Sequence, residues 1–140
     1  KPGFVTDKYG KIIGKHEGIA YYTVGQREGL GIALGYPAYI IKIEKKSNTL
    51  VLGRKEDAFA REFTVNELHF TASPVKKKIA LRVKIRYNHK ENIADIIPSA
   101  DKISVKFREA QFAVTPGQAA VFYLGSKIIG GGRINDVSLK

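Results

Sequence analysis

Side chains that commonly carry out chemistry are few in this chain, which has three histidines and no cysteine. His16, His69 and His89 do not show the spacing that lets two histidines hold one metal ion, and there is no cysteine to complete such a site. We therefore expect the histidines to be surface or structural residues. We expect neither a metal site nor a catalytic residue within the chain.

Signatures of nucleotide-using and hydrolytic enzymes are also missing. No phosphate-binding loop of the G-x-x-x-x-G-K-[ST] type occurs, and Gly29-Leu30-Gly31 lacks the third glycine and the following helix of a dinucleotide fingerprint. No nucleophile elbow surrounds any serine. The sequence thus contains no constellation that would support a stand-alone enzyme.

Basic residues are the most informative group. The chain carries a net charge of +11, which favours a polyanionic partner, nucleic acid first and an anionic membrane second. Arg82, Lys84 and Arg86 alternate along a predicted strand and share one face, which is either a solvated surface or a binding surface. At its end, the Arg86 guanidinium could grip a phosphate and the Tyr87 ring could stack on a base.

Two glycine-containing segments predict special backbone geometry. Thr115-Pro116-Gly117-Gln118 has proline and glycine where a type II turn requires them, and it would present the Gln118 amide at a loop tip. The second segment is the glycine triplet 130–132. It predicts either close strand packing with a bulge or close approach to a partner.

Elements that position these residues are predicted to be mainly β-strands. Every second side chain from Ile79 to Tyr87 is apolar and is expected to face inward, while the residues between them are basic except for Ala80. The same period returns from Lys102 to Arg108. A final hairpin is predicted from Ala119 to Ile129. Strands at this spacing, separated by glycine and proline turns, indicate a small antiparallel barrel.

The first half of the chain predicts two hairpins and an ordered loop. Gly10 supplies the turn of the first hairpin, and strands Tyr39–Glu44 and Thr49–Gly53 form the second. Four glycines between residues 25 and 35 predict a loop rather than a regular element. We expect a β-rich domain over residues 1–64 and the barrel domain over residues 65–140.

Several motifs, taken together, resemble one family. They are GKHEG at 14–18, YTVGQREGLGI at 22–32, VKIRY at 83–87, AVTPGQAAVFY at 113–123 and GGGRI at 130–134. In this order and spacing they resemble the non-catalytic part of the tRNA-specific 2-thiouridylases, the tRNA-uridine 2-sulfurtransferases. The resemblance covers nearly the whole chain.

That resemblance implies a small central β-rich domain followed by an antiparallel six-stranded β-barrel. It implies a cytoplasmic enzyme whose separate N-terminal domain uses ATP with Mg²⁺ to adenylate the wobble uridine of the tRNAs for Lys, Glu and Gln. A persulfide, supplied by a sulfur-donor protein (a cysteine desulfurase or a relay), then delivers sulfur. Because the chain begins at Lys1 and contains no methionine, we expect it to be a piece of such a protein, without catalytic activity of its own.

The same resemblance implies which residues contact tRNA. The strand-end pair Arg86 and Tyr87 and the turn residue Gln118 correspond to tRNA-binding positions. Possible secondary contacts are Gln26, Arg27 and Lys84. Two alternatives remain: a protein-docking β module for the catalytic domain or the sulfur donor, and a generic RNA-binding barrel without preference for tRNA.

Overall fold

The computed structural model describes residues 1–85 and 90–139. Within it the chain divides into two compact units, Lys1–Phe59 and Ala60–Lys140. Each unit is built around a hydrophobic core of its own. The two units are therefore described separately.

A four-stranded sheet forms the first unit. Its strands are β1 (Gly3–Thr6), β2 (Ile12–His16), β3 (Tyr39–Glu44) and β4 (Thr49–Gly53). They lie in the order β2-β1-β4-β3, with β1 and β4 parallel and both hairpin pairs antiparallel. Gly10 turns the first hairpin with a φ of 89°, as its position in the sequence predicts, and Asn48 turns the second with a φ of 55°.

The glycine-rich loop covers one face of this sheet. Val5, Leu50 and Leu52 are buried there, and Leu30 and Ile32 from the loop pack against them. A short 3₁₀ helix, Ile19–Tyr21, leads into the loop. The loop therefore packs apolar side chains onto this small core, which explains how a segment so rich in glycine stays ordered.

A second 3₁₀ helix, Lys55–Ala58, is tied to the first hairpin through Asp57. The Asp57 carboxylate accepts a hydrogen bond from the Arg54 amide at 2.9 Å and one from the Lys8 ammonium at 3.2 Å. Burial by itself raises the pKa of Asp57, but these two donors lower it by more, so the net pKa lies below its usual value. Chiefly through the same hydrogen bond, Asp57 raises the pKa of Lys8.

Six strands of the described residues close into a barrel in the second unit. They are β5 (Phe59–Phe70), β6 (Ile79–Lys84), β7 (Asn92–Ser99), β8 (Lys102–Phe112), β9 (Ala119–Leu124) and β10 (Lys127–Leu139). The barrel closes in the order β10-β5-β8-β7-β6-β9. The predicted six-stranded antiparallel barrel is thereby confirmed. The domain boundary predicted between residues 64 and 65 falls within β5.

Alternation along the barrel strands follows the prediction in their middle parts. Leu81 and Val83 of β6 are buried, as are the inward residues of β8, Ile103, Val105 and Phe107. Ile79 differs, with 38% of its surface exposed, because β6 begins at this residue and the end of a strand is less covered than its centre. Tyr87, predicted to face inward on the same strand, lies outside the described residues.

Strand β7 was not identified from the sequence. It contains Pro98, and proline within an apolar run argues against a strand because it cannot donate to the ladder. In the structure Pro98 lies opposite Ile103, next to the turn that joins β7 to β8. The strand accommodates it at this end while Ala94 and Ile96 fill the core.

Candidate nucleic-acid interface

The turn between β8 and β9 has the predicted geometry. Gly117 has a φ of 92°, and the Gln118 amide donates to the Thr115 carbonyl oxygen at 3.3 Å. Proline and glycine thus occupy the two central positions of the turn, as a type II turn requires. The sequence prediction of a turn is confirmed for this segment.

Gln118 itself lies differently from the sequence prediction. Its side-chain oxygen Oε1 is buried and has no hydrogen-bond partner among residues 1–85 and 90–139. Its carbonyl oxygen accepts from the Ile134 amide at 2.8 Å, which anchors the residue to β10. The side-chain oxygen therefore does not lie open at the loop tip, because Gln118 belongs to the barrel wall as much as to the turn.

Arg133 holds this turn in place, a role that sequence reasoning missed. Its guanidinium donates to the Gly117 carbonyl oxygen and lies 3.6 Å from the Glu67 carboxylate. The Gly117 amide in turn donates to the Ile134 carbonyl oxygen at 2.7 Å. The GGGRI and TPGQ motifs are therefore two parts of one structure. The presence of both motifs in one sequence was the only signal from which this contact could have been predicted.

The glycine triplet that precedes Arg133 packs tightly against neighbouring strands. A β-carbon on Gly130 would lie 2.7 Å from the His69 carbonyl oxygen, and one on Gly131 would overlap the Ala120 carbonyl oxygen. The register of β10 also shifts within this segment. These contacts correspond to the first of the two predicted roles, close strand packing with a bulge.

The predicted pair Arg86 and Tyr87 lies outside the described residues. The chain leading to it is described as far as Ile85, which is buried. Lys84 is half-buried and lies opposite Val121 of β9. The described end of β6 therefore runs beside β9, the strand that follows Gln118.

Gln26 in the glycine-rich loop uses both ends of its amide within the loop. Its oxygen Oε1 accepts from the Thr23 amide at 3.0 Å, and its nitrogen Nε2 donates to the Glu28 carbonyl oxygen at 2.8 Å. Its backbone is paired with Ile40 of β3. The side chain thus shapes the loop. Of Gln26 and Arg27, only Arg27 has an exposed side chain. Arg27 forms no ion pair with any residue in the described ranges.

His16 lies in the core of the first unit. Only 2% of its surface is exposed, and its ring nitrogen Nε2 lies 2.8 Å from the Asn48 carbonyl oxygen. A carbonyl oxygen only accepts, so this bond requires the hydrogen on Nε2. Nearby, Gly14 allows Ile32 of the loop to approach, because a β-carbon on Gly14 would lie 2.7 Å from Ile32 Cδ1. The GKHEG motif thus packs the hairpin against the loop.

Among the described residues, no cluster of three or more His, Asp or Glu side chains could hold a metal ion. In those same ranges no helix is long and apolar enough to span a membrane. Positive charge is more concentrated in the second unit, with 14 basic against 7 acidic residues, than in the first, with 10 against 6. An excess of basic residues of this kind attracts anionic partners.

Two family models match the chain one after the other. The tRNA methyl transferase PRC-barrel domain matches residues 1–54, and the aminomethyltransferase beta-barrel domain matches residues 60–134. The second match alone covers more than half of the chain. Both matches fall within the two units that the structure separates.

Proteins named tRNA-specific 2-thiouridylase are similar to nearly the whole chain. The protein of Acetivibrio thermocellus is 47% identical over 96% of this chain. One of Clostridium botulinum is 46% identical over 98%, and that of Halothermothrix orenii is 41% identical over 97%. The chain spans only 38% to 39% of the length of these curated relatives.

Proposed function

The chain belongs to the family of the aminomethyltransferase beta-barrel domain, preceded by a tRNA methyl transferase PRC-barrel domain, and on this premise we propose that it is the tRNA-binding and positioning region of a tRNA-specific 2-thiouridylase. One observation carries this proposal: the similarity to proteins of that name extends over 96% to 98% of the chain. The excess of basic residues supports it, because tRNA is a polyanion.

In this proposal the chain captures tRNA and sets its position, while the rest of the enzyme recognises the wobble uridine that is modified. Phosphate contacts fix register and orientation without reading sequence. Arg86 binds a phosphate and Tyr87 stacks on a base of the tRNA. Gln118 contacts the RNA backbone near the protein's β8–β9 turn. Arg27 and Lys84 add secondary contacts. Gln26 acts through Arg27, because its own amide is already bonded within the loop.

Chemistry belongs to the rest of the proposed enzyme. That part uses ATP with Mg²⁺ and a persulfide to convert the wobble uridine of the tRNAs for Lys, Glu and Gln to 2-thiouridine in the cytoplasm, with sulfur from a donor protein. The residues described here contribute binding and orientation. Holding a reactant in position is a large part of catalysis, because it removes the entropic cost of bringing reactants together.

The proposal is tested by measuring how this chain binds tRNA. Fluorescence anisotropy with labelled tRNA for glutamate, compared with an unstructured RNA of equal length, should show tighter binding to the tRNA. Arg86→Glu should weaken tRNA binding about tenfold and reduce the slope of log affinity against log salt concentration by about 1 to 2, because phosphate contacts release counterions.

Lys102→Glu is the matched control for this experiment. Lys102 is exposed at the turn between β7 and β8, and its substitution changes the net charge by the same amount. It should lower affinity much less than Arg86→Glu. Equal binding of tRNA and unstructured RNA would indicate a generic RNA-binding barrel, and an unchanged affinity in Arg86→Glu would favour the docking function.

A protein-docking function is the second candidate, and one observation favours it. Phe4 and Ile12 are 47% and 57% exposed. They lie on the face of the sheet opposite Val5, which is buried under the glycine-rich loop. Exposed apolar side chains on a sheet face suit contact with another protein surface. Phe4→Ser with Ile12→Ser should leave tRNA binding by this chain unchanged if that face docks a protein.

Substitutions in the glycine-rich loop separate the roles of Gln26 and Arg27. Arg27→Ala should weaken tRNA binding about threefold, as expected for one exposed charge. Gln26→Ala should weaken it to a similar extent and also speed hydrogen exchange at the Thr23 amide, which loses its acceptor. If Gln26→Ala weakens binding while Arg27→Ala does not, Gln26 contacts the RNA directly and the positioning role is wrong.

A further inference from the structure

A groove of about 300 Å³ lies on the outer face of the barrel, across strands β6, β7 and β8. Its lining residues are Arg82, Glu91, Asn92, Ile93, Arg108 and Glu109. The register places Arg82 directly opposite Ile93. Of the proposed tRNA contacts on the barrel that the structure describes, neither Lys84 nor Gln118 lines this groove.

Ile93 is the apolar residue of this groove, and further apolar side chains lie beside it on the barrel wall. Ile93 is 42% exposed, although its neighbour Ala94 is fully buried in the core. On the other side of Arg82 lies the half-buried ring of Tyr123, and opposite that ring lies Ile128, which is 48% exposed. An apolar row thus crosses the barrel wall from Ile128 to Ile93, interrupted only by the arginine.

Two guanidinium groups border Ile93. The Arg82 side chain is exposed and forms no ion pair or hydrogen bond with residues 1–85 or 90–139. Arg108 lies 3.5 Å from the Asp95 carboxylate, yet 59% of its side chain is exposed. Exposed ion pairs of this kind are weak, so Arg108 can also bind a second anion.

Hydrogen-bond acceptors complete the groove. Asn92 donates through Nδ2 to the Gln111 side-chain oxygen at 3.2 Å and to the Lys90 carbonyl oxygen at 3.3 Å. These bonds fix its amide and leave its Oδ1 without a partner in the described part of the chain. The carboxylates of Glu91 and Glu109 add acceptors at the edge.

We propose that this groove binds one unpaired nucleotide of a single-stranded RNA segment, in addition to the contacts proposed above. Arg82 and Arg108 flank Ile93 on neighbouring strands, so the base lies against Ile93 and one of the two guanidinium groups binds the phosphate. The amino or imino hydrogens of the base are bonded to Asn92, Glu91 or Glu109. This inference rests on the proposed function, since it assumes that the partner of the chain is RNA.

Size and charge favour this occupant over the alternatives. A duplex would bring mainly phosphates to the wall, and the carboxylates of Glu91 and Glu109 would repel them. A protein partner needs an interface of roughly 1,000 Å² or more, whereas this groove holds only a small group. A splayed nucleotide carries a phosphate that the arginines can bind and a base face that can lie against Ile93. The N–H groups on the edge of its base can bond to the acceptors of the groove.

The experiment records amide chemical shifts of the labelled chain with a single-stranded RNA pentamer and with a blunt RNA duplex of the same sequence. The pentamer should shift the amides of Arg82, Asn92, Ile93 and Arg108, and the duplex should shift them much less. Arg82→Gln and Ile93→Ser should each weaken pentamer binding about tenfold, as expected for the loss of a charge-assisted contact and of an apolar contact, respectively. Lys102→Gln, an equal loss of charge elsewhere on the barrel, should weaken it less than twofold.

Outcomes separate this inference from the proposed function. If tRNA binds normally but the pentamer leaves these amides unshifted, or Arg82→Gln has no effect, the groove is not a nucleotide site and the proposed function stands. Equal shifts with the duplex would also overturn the inference. If neither tRNA nor the pentamer binds, the proposed function fails and the inference fails with it. The side chains of Arg82 and Ile93 lie outside the core, so we expect both variants to unfold at the same temperature as the original chain. That measurement will show that they are folded.

Discussion

Replacing Gly131 with alanine will destabilise the barrel by about 3 kcal/mol, at the upper end of the usual cost of overpacking. A β-carbon at this position meets only backbone: it overlaps the Ala120 carbonyl oxygen and lies 3.3 Å from Val121 Cα. Backbone of a paired strand cannot rotate away as a side chain can. The added methyl group must therefore push β9 away from β10, and the hydrogen bonds between these strands weaken.

Native-state hydrogen exchange will measure the resulting loss of stability in the barrel. Protection of the Val83 and Phe122 amides, on β6 and β9, should fall in Gly131→Ala by the corresponding factor. Gly18→Ala is the matched control, because a β-carbon on Gly18 would meet its nearest neighbour at 3.4 Å, an ordinary contact. It should change stability by less than about 0.5 kcal/mol. Equal effects of the two substitutions would show that the triplet is not needed for strand packing.

Replacing His16 with alanine will destabilise the first unit by about 3 kcal/mol, as expected when a buried ring is removed and its partner is left unpaired. The ring packs edge-on against Tyr22, with centroids 6.0 Å apart, and bonds the Asn48 carbonyl oxygen. Asn48 in turn donates from its side chain to the carbonyl oxygens of Lys1 and Pro2. Loss of the ring therefore loosens both the hairpin turn and the first strand.

Protection of the Leu50 and Leu52 amides in β4 against hydrogen exchange will report on the stability of this unit. His16→Gln is the variant to compare with His16→Ala. Glutamine keeps a donor that can reach toward Asn48 but lacks the ring, so it should lose roughly half as much stability as alanine. A loss below about 1 kcal/mol in His16→Ala would contradict the structural role and reopen a functional one for this histidine.

Local patterns predicted much of the architecture. Gly10 and the Pro116-Gly117 pair each lie at a turn that needs their particular backbone geometry, and the structure has both turns. Alternation along β6 and β8 predicted which side chains fill the barrel. These features depend on the conformational limits of single residues and on a period of two, both of which can be recognised in a short segment. β7 was missed because Pro98 violates that local rule.

The amino-acid sequence alone therefore predicted most of the strands, the turns, the barrel and the excess of positive charge, because each depends on neighbours in the chain or on composition. Tertiary structure alone revealed that Arg133 holds the Gly117 carbonyl, that His16 bonds Asn48, and that Arg82 lies beside Ile93. These partners lie between 11 and 32 residues apart. Their meeting depends on strand register and barrel closure, which are set by packing the whole core and not by any local pattern.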